Sequence, residues 1–334
     1  MSDDPQSPNI RAWSAGAFID EVTGWVEEAA TGCGIALTGE REQPHLRSWS
    51  SAVRFGAVGC DLWFKVNGPG TRHEAALLGA LAQVEPDLVP DVLAVDRRRG
   101  WTLMRDAGPV LRAVADPEAQ WEIWPAVVGR YAEAQLRLAD QPEAVLGTGV
   151  PLMTPDVLPG RLRTLVAELS SLPVEGGGLS AEERSRFAAR FGEYDDWCAA
   201  LAASDVPCSL QHDDLHSGNV CWGGTAEAAR VIDWGDASWG FPLATMLVTL
   251  SSLAWAAGCP EDDPRVLRVR DSYLEHFSGY AAREDLVRDT DHARRTGCVT
   301  RAVSWRSALE GEPESSHREY GFPVRAWLLE LLET

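Results

Sequence analysis

Apolar residues recur at helical spacing early in the chain, with Phe18, Val22, Trp25, Val26 and Ala29 falling on one face. Ser14 suits the N-cap of that helix and Gly32 its end. Three strand-like segments follow, at 35–39, 46–57 and 60–66, and Gly59 marks a hairpin turn between the last two. A helix is predicted over 71–84, with Ala75, Leu78, Leu81 and Ala82 apolar, and then a second hairpin from strands 91–96 and 100–104 around three arginines. Beyond Gly108 the period is mostly helical. Helices are expected at 118–139, 155–172, 181–203, 242–257, 264–280, 286–309 and 318–332, interrupted by short strands at 209–211, 219–222 and 230–233. The glycine run Gly176-Gly177-Gly178 is a loop within the helical part, since the helical pattern resumes on both sides. The order of elements therefore predicts an α+β chain of two lobes, a small antiparallel-sheet lobe over 1–107 and a larger, mostly helical lobe over 108–334.

Composition narrows the setting. With 334 residues and 45% hydrophobic content, both lobes can bury a core. No apolar run approaches the roughly 20 residues of a membrane span. The seven cysteines are odd in number and scattered, which argues against a disulfide framework and for a reducing, cytoplasmic setting. A formal net charge of −20 excludes nucleic acid and anionic lipid as expected partners; it serves solubility and favours a cationic small molecule if it favours any partner. Of 30 basic residues only one, Lys65, is lysine. A general preference for arginine does not explain why that one remains. A site that needs a compact point charge, where a wide guanidinium fork does not fit, does explain it.

The densest chemistry lies in Leu210-Gln211-His212-Asp213-Asp214-Leu215-His216-Ser217-Gly218-Asn219-Val220, which fits H-x-D-x-x-x-x-N. Shortly after it, Val231-Ile232-Asp233-Trp234-Gly235 is an apolar strand ending in Asp-aromatic-Gly. A short loop between strands can place Asp214 and Asn219 on one cleft wall, with the next strand delivering Asp233 beside them. Cys208, His212, His216 and Cys221 have spacings that superficially suit zinc. The surrounding Asp, Ser and Gly favour a loop over a helical face, so His212 is expected to brace the loop and the cysteines to pack as small apolar residues. Upstream, Lys65 lies on an apolar strand segment, and Glu74 follows it in the next helix. Neither a P-loop nor a G-x-G-x-x-G dinucleotide fingerprint is present.

Together these segments resemble the catalytic loop and metal-binding strand of kinase-like enzymes, and the chain resembles the aminoglycoside phosphotransferase family of small-molecule kinases. The likeness runs from about Leu46 to Leu253 and includes Phe64-Lys65-Val66, Glu74-Ala75-Ala76-Leu77-Leu78, Trp101 to Gly108, the loop at Asp214 and Ile232-Asp233-Trp234. It implies a bilobal protein-kinase-like fold and transfer of the γ-phosphoryl group of ATP, or GTP, to a small-molecule hydroxyl, as in antibiotic-modifying enzymes. A metabolic kinase for a sugar, amino-sugar, choline or homoserine is the alternative, and a non-catalytic nucleotide-binding module a second one. Asp214 is implied as catalytic base, Asn219 and Asp233 as Mg²⁺ ligands, Lys65 as the grip on the phosphates and Glu74 as its holder. Ser50 and Ser51 are implied to cover the phosphates, and the backbone of Leu103, Met104 and Arg105 to meet the base. Asp236 and Glu310, with Glu312 and Glu314, are candidate acids for a cationic acceptor, and Trp239, Trp255 and Trp305 a candidate aromatic wall. Three features depart from the family pattern: the expected phosphate loop at 47–53 has no glycine, Asp213 stands where glycine is usual, and Thr245 replaces a carboxylate.

Overall fold

The computed structural model of the protein describes residues 7–333. Pro8 at a helix start, with Ser7 Oγ accepting the Ile10 amide at 3.1 Å, initiates α1 (Pro8–Ser14). A break at Ala15 separates it from α2 (Gly16–Gly32). Ser14 thus closes α1 instead of capping the longer helix, and its hydroxyl donates back to the Arg11 carbonyl at 3.3 Å. Helix α2 buries Val22, Val26 and Ala30, the face the periodicity selects.

The strands β1 (Leu37–Leu46), β2 (Ser50–Ala57) and β3 (Leu62–Asn67) precede α3 (His73–Val84), and β4 (Val92–Asp96) and β5 (Trp101–Arg105) follow it. They form one antiparallel sheet in the order β1-β2-β3-β5-β4. Gly59, at φ +92°, makes the β2–β3 turn. The expected strand over 46–57 is in fact two, because the chain reverses at 47–49, where the Arg47 amide donates to the Ser50 carbonyl at 2.9 Å. Strand β1 is also longer than the segment 35–39 suggested. It is a mostly exposed edge strand, so alternation of apolar residues cannot reveal it. On one sheet face Val53, Phe55, Leu62, Phe64, Val66, Trp101 and Leu103 pack with Trp13, Val22 and Val26. The other face turns to α3 and the second lobe.

That lobe runs α4 (Leu111–Val114), α5 (Pro117–Ala139), α6 (Pro142–Leu146), β6 (Leu152–Met153), α7 (Leu158–Ser170), α8 (Ala181–Ala202), β7 (Ser209–Gln211), β8 (Val220–Cys221), β9 (Arg230–Val231) and β10 (Ser238–Gly240). It ends with α9 (Met246–Ala257), α10 (Pro264–Leu274), α11 (Arg283–Ala308), α12 (Glu314–Tyr320) and α13 (Phe322–Glu333). The single helix expected over 318–332 is split at Gly321, whose amide closes α12 on the His317 carbonyl at 2.9 Å. Strands β6 and β10 form a three-stranded sheet with β7 in the order β6-β10-β7 and were not anticipated, since two or three residues carry no period.

Helix α3 joins the lobes. Its Leu77, Leu78 and Leu81 belong to the same buried cluster as Trp124 and Tyr131 of α5 and Trp234. A second cluster unites α7, α8, α11 and α13 through Leu162, Phe187, Val299 and Leu328. The fold is a bilobal α+β one, as expected, and no helix among the described residues is long and apolar enough to cross a membrane.

Candidate functional site

Alternation along β3 decides what faces the cleft. Leu62, Phe64 and Val66 point to the α2 side, so Lys65 and Asn67 point the other way. Lys65 stands in register between Ala52 and Thr102. Its Nζ donates to Glu74 Oε1 at 2.8 Å and to Asp233 Oδ1 at 2.5 Å. Glu74, in the first turn of α3, is 3% exposed. It also accepts the Trp234 amide at 2.8 Å and a short hydrogen bond from Asn67 Nδ2. Asp233, the Trp234 amide and Asn67 thus hold a buried charge pair that would otherwise be costly to desolvate. Burial alone would lower the Lys65 pKa, but the carboxylates of Asp233 and Glu74 outweigh it and hold the ammonium above its ordinary value. Burial raises that of Glu74. The Lys65 charge lowers that of Asp233, whose side chain is still 56% exposed.

The loop between β7 and β8 is braced from within. His212 is fully buried; its Nδ1 accepts the Asp214 amide at 3.3 Å, which leaves the proton on Nε2, 2.8 Å from the Ile232 carbonyl. Burial depresses its pKa, so the ring is a neutral strut between the loop and the segment carrying Asp233. Asp213 has φ +61°, a conformation that glycine adopts freely and Asp tolerates better than most, which accounts for an aspartate at this position. Its carboxylate accepts from Ser238 Oγ, and burial lifts its pKa to about 7.

Asp214 is held at both oxygens. Oδ1 receives Arg301 Nη2 at 3.1 Å, and Oδ2 receives Asn219 Nδ2 at 3.3 Å with His216 Nε2 at 3.5 Å. Burial works against its charge, but Arg301 and then His216 outweigh burial and bring its pKa well below the usual carboxylate range. Arg301 reaches in from α11, itself 4% exposed, and its Nη1 binds Asp236 Oδ2 at 2.8 Å.

The fold therefore brings Lys65, Glu74, Asp214, Asn219 and Asp233 into one cleft. Asn219 spends its amide group on the Asp214 carbonyl and carboxylate, which leaves Oδ1 as an acceptor; Asp233 makes no hydrogen bond through Oδ2 among the described residues. Two such oxygens fit Mg²⁺, which takes few protein ligands when phosphates supply others. No cluster of three or more His, Cys, Asp or Glu placed for a metal occurs among the described residues, and His212 serves the backbone as expected.

Other expected residues lie elsewhere. Ser50 shares the Lys65 face, its hydroxyl 2.9 Å from His45 Nε2. Ser51, one residue on, points to the opposite face; its hydroxyl is taken by the His45 carbonyl at 3.1 Å and Gln43 at 2.8 Å, so it does not reach the cleft. Leu103 and Met104 lie inside β5, flanked by β3 and β4, so their backbone is used by the sheet. The Arg105 and Asp106 amides donate to the carbonyls of Asp91 and Asp61, both at 2.9 Å. The backbone that leaves the sheet starts beyond Arg105, past all three of the residues expected to meet the base. Asp236 is engaged by Arg301 and by Ser304 Oγ at 2.6 Å. Glu310 is exposed and lines a separate groove with Arg72, His73, Arg97 and Thr148. Trp239 is core, Trp255 is 87% exposed, and Trp305 packs edge-on against Trp49, so the three do not form one wall. Sequence reasoning missed Asn67, His45, Arg301 and Ser304. Only Asn67 carried a signal, two residues from Lys65 on the same strand face.

Residues 59–286 match the model of a family described as "Phosphotransferase enzyme family". No curated protein matches the chain in sequence. Among solved structures, the macrolide 2′-phosphotransferase MphH of Brachybacterium faecium superposes with a TM-score of 0.58 at 17% identity, covering 90% of this chain and 97% of that one. A choline kinase of Cryptosporidium parvum Iowa II gives 0.64 at 11% identity, covering 94% and 95%. The ternary complex of APH(2″)-IIa with streptomycin and ATP gives 0.58 at 15%, covering 93% and 96%. At these identities the likeness establishes the fold.

Proposed function

Since this chain belongs to the phosphotransferase enzyme family, we propose that it transfers the γ-phosphoryl group of a nucleoside triphosphate, ATP or GTP, to a hydroxyl of a small molecule. The observation that carries the proposal is the convergence across the cleft: Lys65 of the sheet lobe lies 2.8 Å from Glu74 and 2.5 Å from Asp233 of the helical lobe, with Asp214 and Asn219 on the same wall. Lys65 binds the phosphates, exchanging Asp233 for phosphate oxygens while Glu74 retains it, so the ammonium keeps a partner throughout. Asp233 and Asn219 would hold Mg²⁺, which would neutralise charge developing on the phosphates. Asp214, ionised and fixed at both oxygens, orients the acceptor hydroxyl and takes its proton. A base whose pKa is depressed is suited to a loose transition state, in which positioning matters more than proton abstraction. ATP is the first nucleotide to test, because the APH(2″)-IIa complex holds it. Neither Asp236 nor Glu310 stands free beside Asp214, so the acceptor need not be cationic.

The test is ADP or GDP release over a panel of aminoglycosides, macrolides, choline, ethanolamine, homoserine and amino-sugars. At least one acceptor is expected to stimulate release. Lys65→Ala and Asp214→Asn should each reduce that stimulation by about 10²–10⁴-fold while the far-UV spectrum is retained. Unchanged turnover in Asp214→Asn would remove the base from this assignment.

A further inference from the structure

Among the described residues, Arg301 is the one charged side chain that enters the Asp214 cluster from a distant helix. It is buried, and it spans two carboxylates with the two arms of its fork, Nη2 to Asp214 Oδ1 at 3.1 Å and Nη1 to Asp236 Oδ2 at 2.8 Å. Ser304, three residues on and on the same face of α11, donates to the second Asp236 oxygen at 2.6 Å. The ring of Trp327 in α13 lies 5.8 Å from the guanidinium carbon. Asp236 therefore has both oxygens bound from α11, one by Arg301 and the other by Ser304. Asp214 in turn has Arg301 on one oxygen and Asn219 with His216 on the other. The Gly218 amide donates to His216 Nδ1 at 2.9 Å, so the His216 proton is on Nε2 and faces Asp214.

We propose that Arg301 is a positioning residue for Asp214, and that Asp236 is the anchor that holds Arg301 in place and not a contact for the acceptor. The inference rests on the reading of Asp214 as base. A planar fork gripped at one end by Asp236 and Ser304 fixes the rotation of the Asp214 carboxylate at the other. It also brings a positive charge to within 3.1 Å of Asp214, in a cluster that holds Asp213, Asp233 and Asp236 as well, with His212 and His216 on its own loop. Lysine cannot reproduce this, since a point charge can face both carboxylates but cannot set the plane of either.

The test uses Arg301→Met, Arg301→Lys and Asp236→Asn in the full chain, followed by kcat and KM for acceptor and nucleotide, the pH profile of kcat/KM, and the carboxyl ¹³C titration of Asp214. Arg301→Met should lower kcat by about 10²-fold, as expected when a reacting group is misplaced by an ångström. It should move the acidic limb of the profile and the Asp214 titration to higher pH, with nucleotide KM within about twofold. Arg301→Lys should return the limb and titration towards the wild-type position without restoring kcat. Asp236→Asn should lower kcat with acceptor KM unchanged; a raised acceptor KM with kcat maintained would make Asp236 a substrate contact and overturn the anchor role. If Arg301→Met lowers thermal stability but leaves both the acidic limb and the Asp214 titration where they were, Arg301 is structural only. The two readings fail differently. Full turnover in Asp214→Asn rejects the base, whereas an inactive Asp214→Asn beside a fully active Arg301→Met rejects the positioning role alone. The ¹³C titration reports the Arg301–Asp214 coupling whether or not an acceptor has been found.

Discussion

At Asp213 a backbone requirement and an electrostatic cost meet in one residue. The left-handed backbone, φ +61°, is needed to turn the loop so that Asp214 faces the cleft, and burial lifts the Asp213 pKa to about 7. Because the folded chain holds this proton more tightly than the unfolded chain does, the stability it contributes is complete below the ordinary carboxylate pKa of about 4. That contribution is lost as pH rises through about 7, at about 1.4 kcal/mol for each unit between the two values. Asparagine tolerates the same backbone and keeps a hydrogen bond to Ser238, but it has no charge to bury. Asp213→Asn is therefore expected to raise Tm relative to the parent chain, and by more at pH 8 than at pH 5. An equal shift at both pH values in thermal melts would mean that Asp213 is not buried as a titrating acid. Asp214 has the opposite sign. Arg301 and His216 hold its folded pKa below the unfolded value, so its contribution is present at neutral pH and disappears only in strong acid.

At the scale of elements, α3 couples chemistry to packing. Glu74 lies in its first turn, and Leu77, Leu78 and Leu81 anchor the following turns in the core of the helical lobe. Leu81→Ala should cost about 2–5 kcal/mol by denaturant titration, the range for a fully buried leucine replaced by alanine. A loss under 1 kcal/mol would mean that the helix is not packed between the lobes as described. The elements most legible in the sequence are the ones with a buried face: α2, α3, α5 and β3 each show the period their burial demands. Those that were misjudged lack one. The edge strand β1 is polar along most of its length, β6 and β10 are too short to have a period, and the chain reversal at 47–49 is held by contacts to other segments. One of these is Asn9 Nδ2 to the Ser48 carbonyl at 2.7 Å; another is the Gly68 amide to the Trp49 carbonyl at 2.7 Å.

At the scale of the whole molecule, the places where the lobes meet include the Lys65–Asp233 pair, the leucines of α3, and Trp49 at the tip of the β1–β2 turn. Trp49 packs edge-on against Trp305 of α11, with centroids 5.7 Å apart, and against Tyr320 of α12 at 5.3 Å. Contacts of this kind contribute about 0.5–1.5 kcal/mol each beyond the area they bury. Trp49→Ala should accelerate amide exchange in the turn at 47–50 and in α12 while leaving α3 protected; unchanged protection in both would show that the aromatic contact does not tie the turn to the helical lobe. The sequence by itself determined the two-lobed order of elements and the five side chains Lys65, Glu74, Asp214, Asn219 and Asp233, because each sits on a local pattern (an apolar strand, a helix start, a loop bounded by strands) that the neighbouring residues dictate. Only the tertiary structure decided that Arg301 meets both Asp214 and Asp236, that Ser51 points away from the Lys65 face, and that the backbone of Leu103 and Met104 is spent in the sheet. Which side chains meet across a long loop of chain depends on how whole helices and sheets pack. No spacing within either segment encodes that 87 residues separate Arg301 from the aspartate it holds.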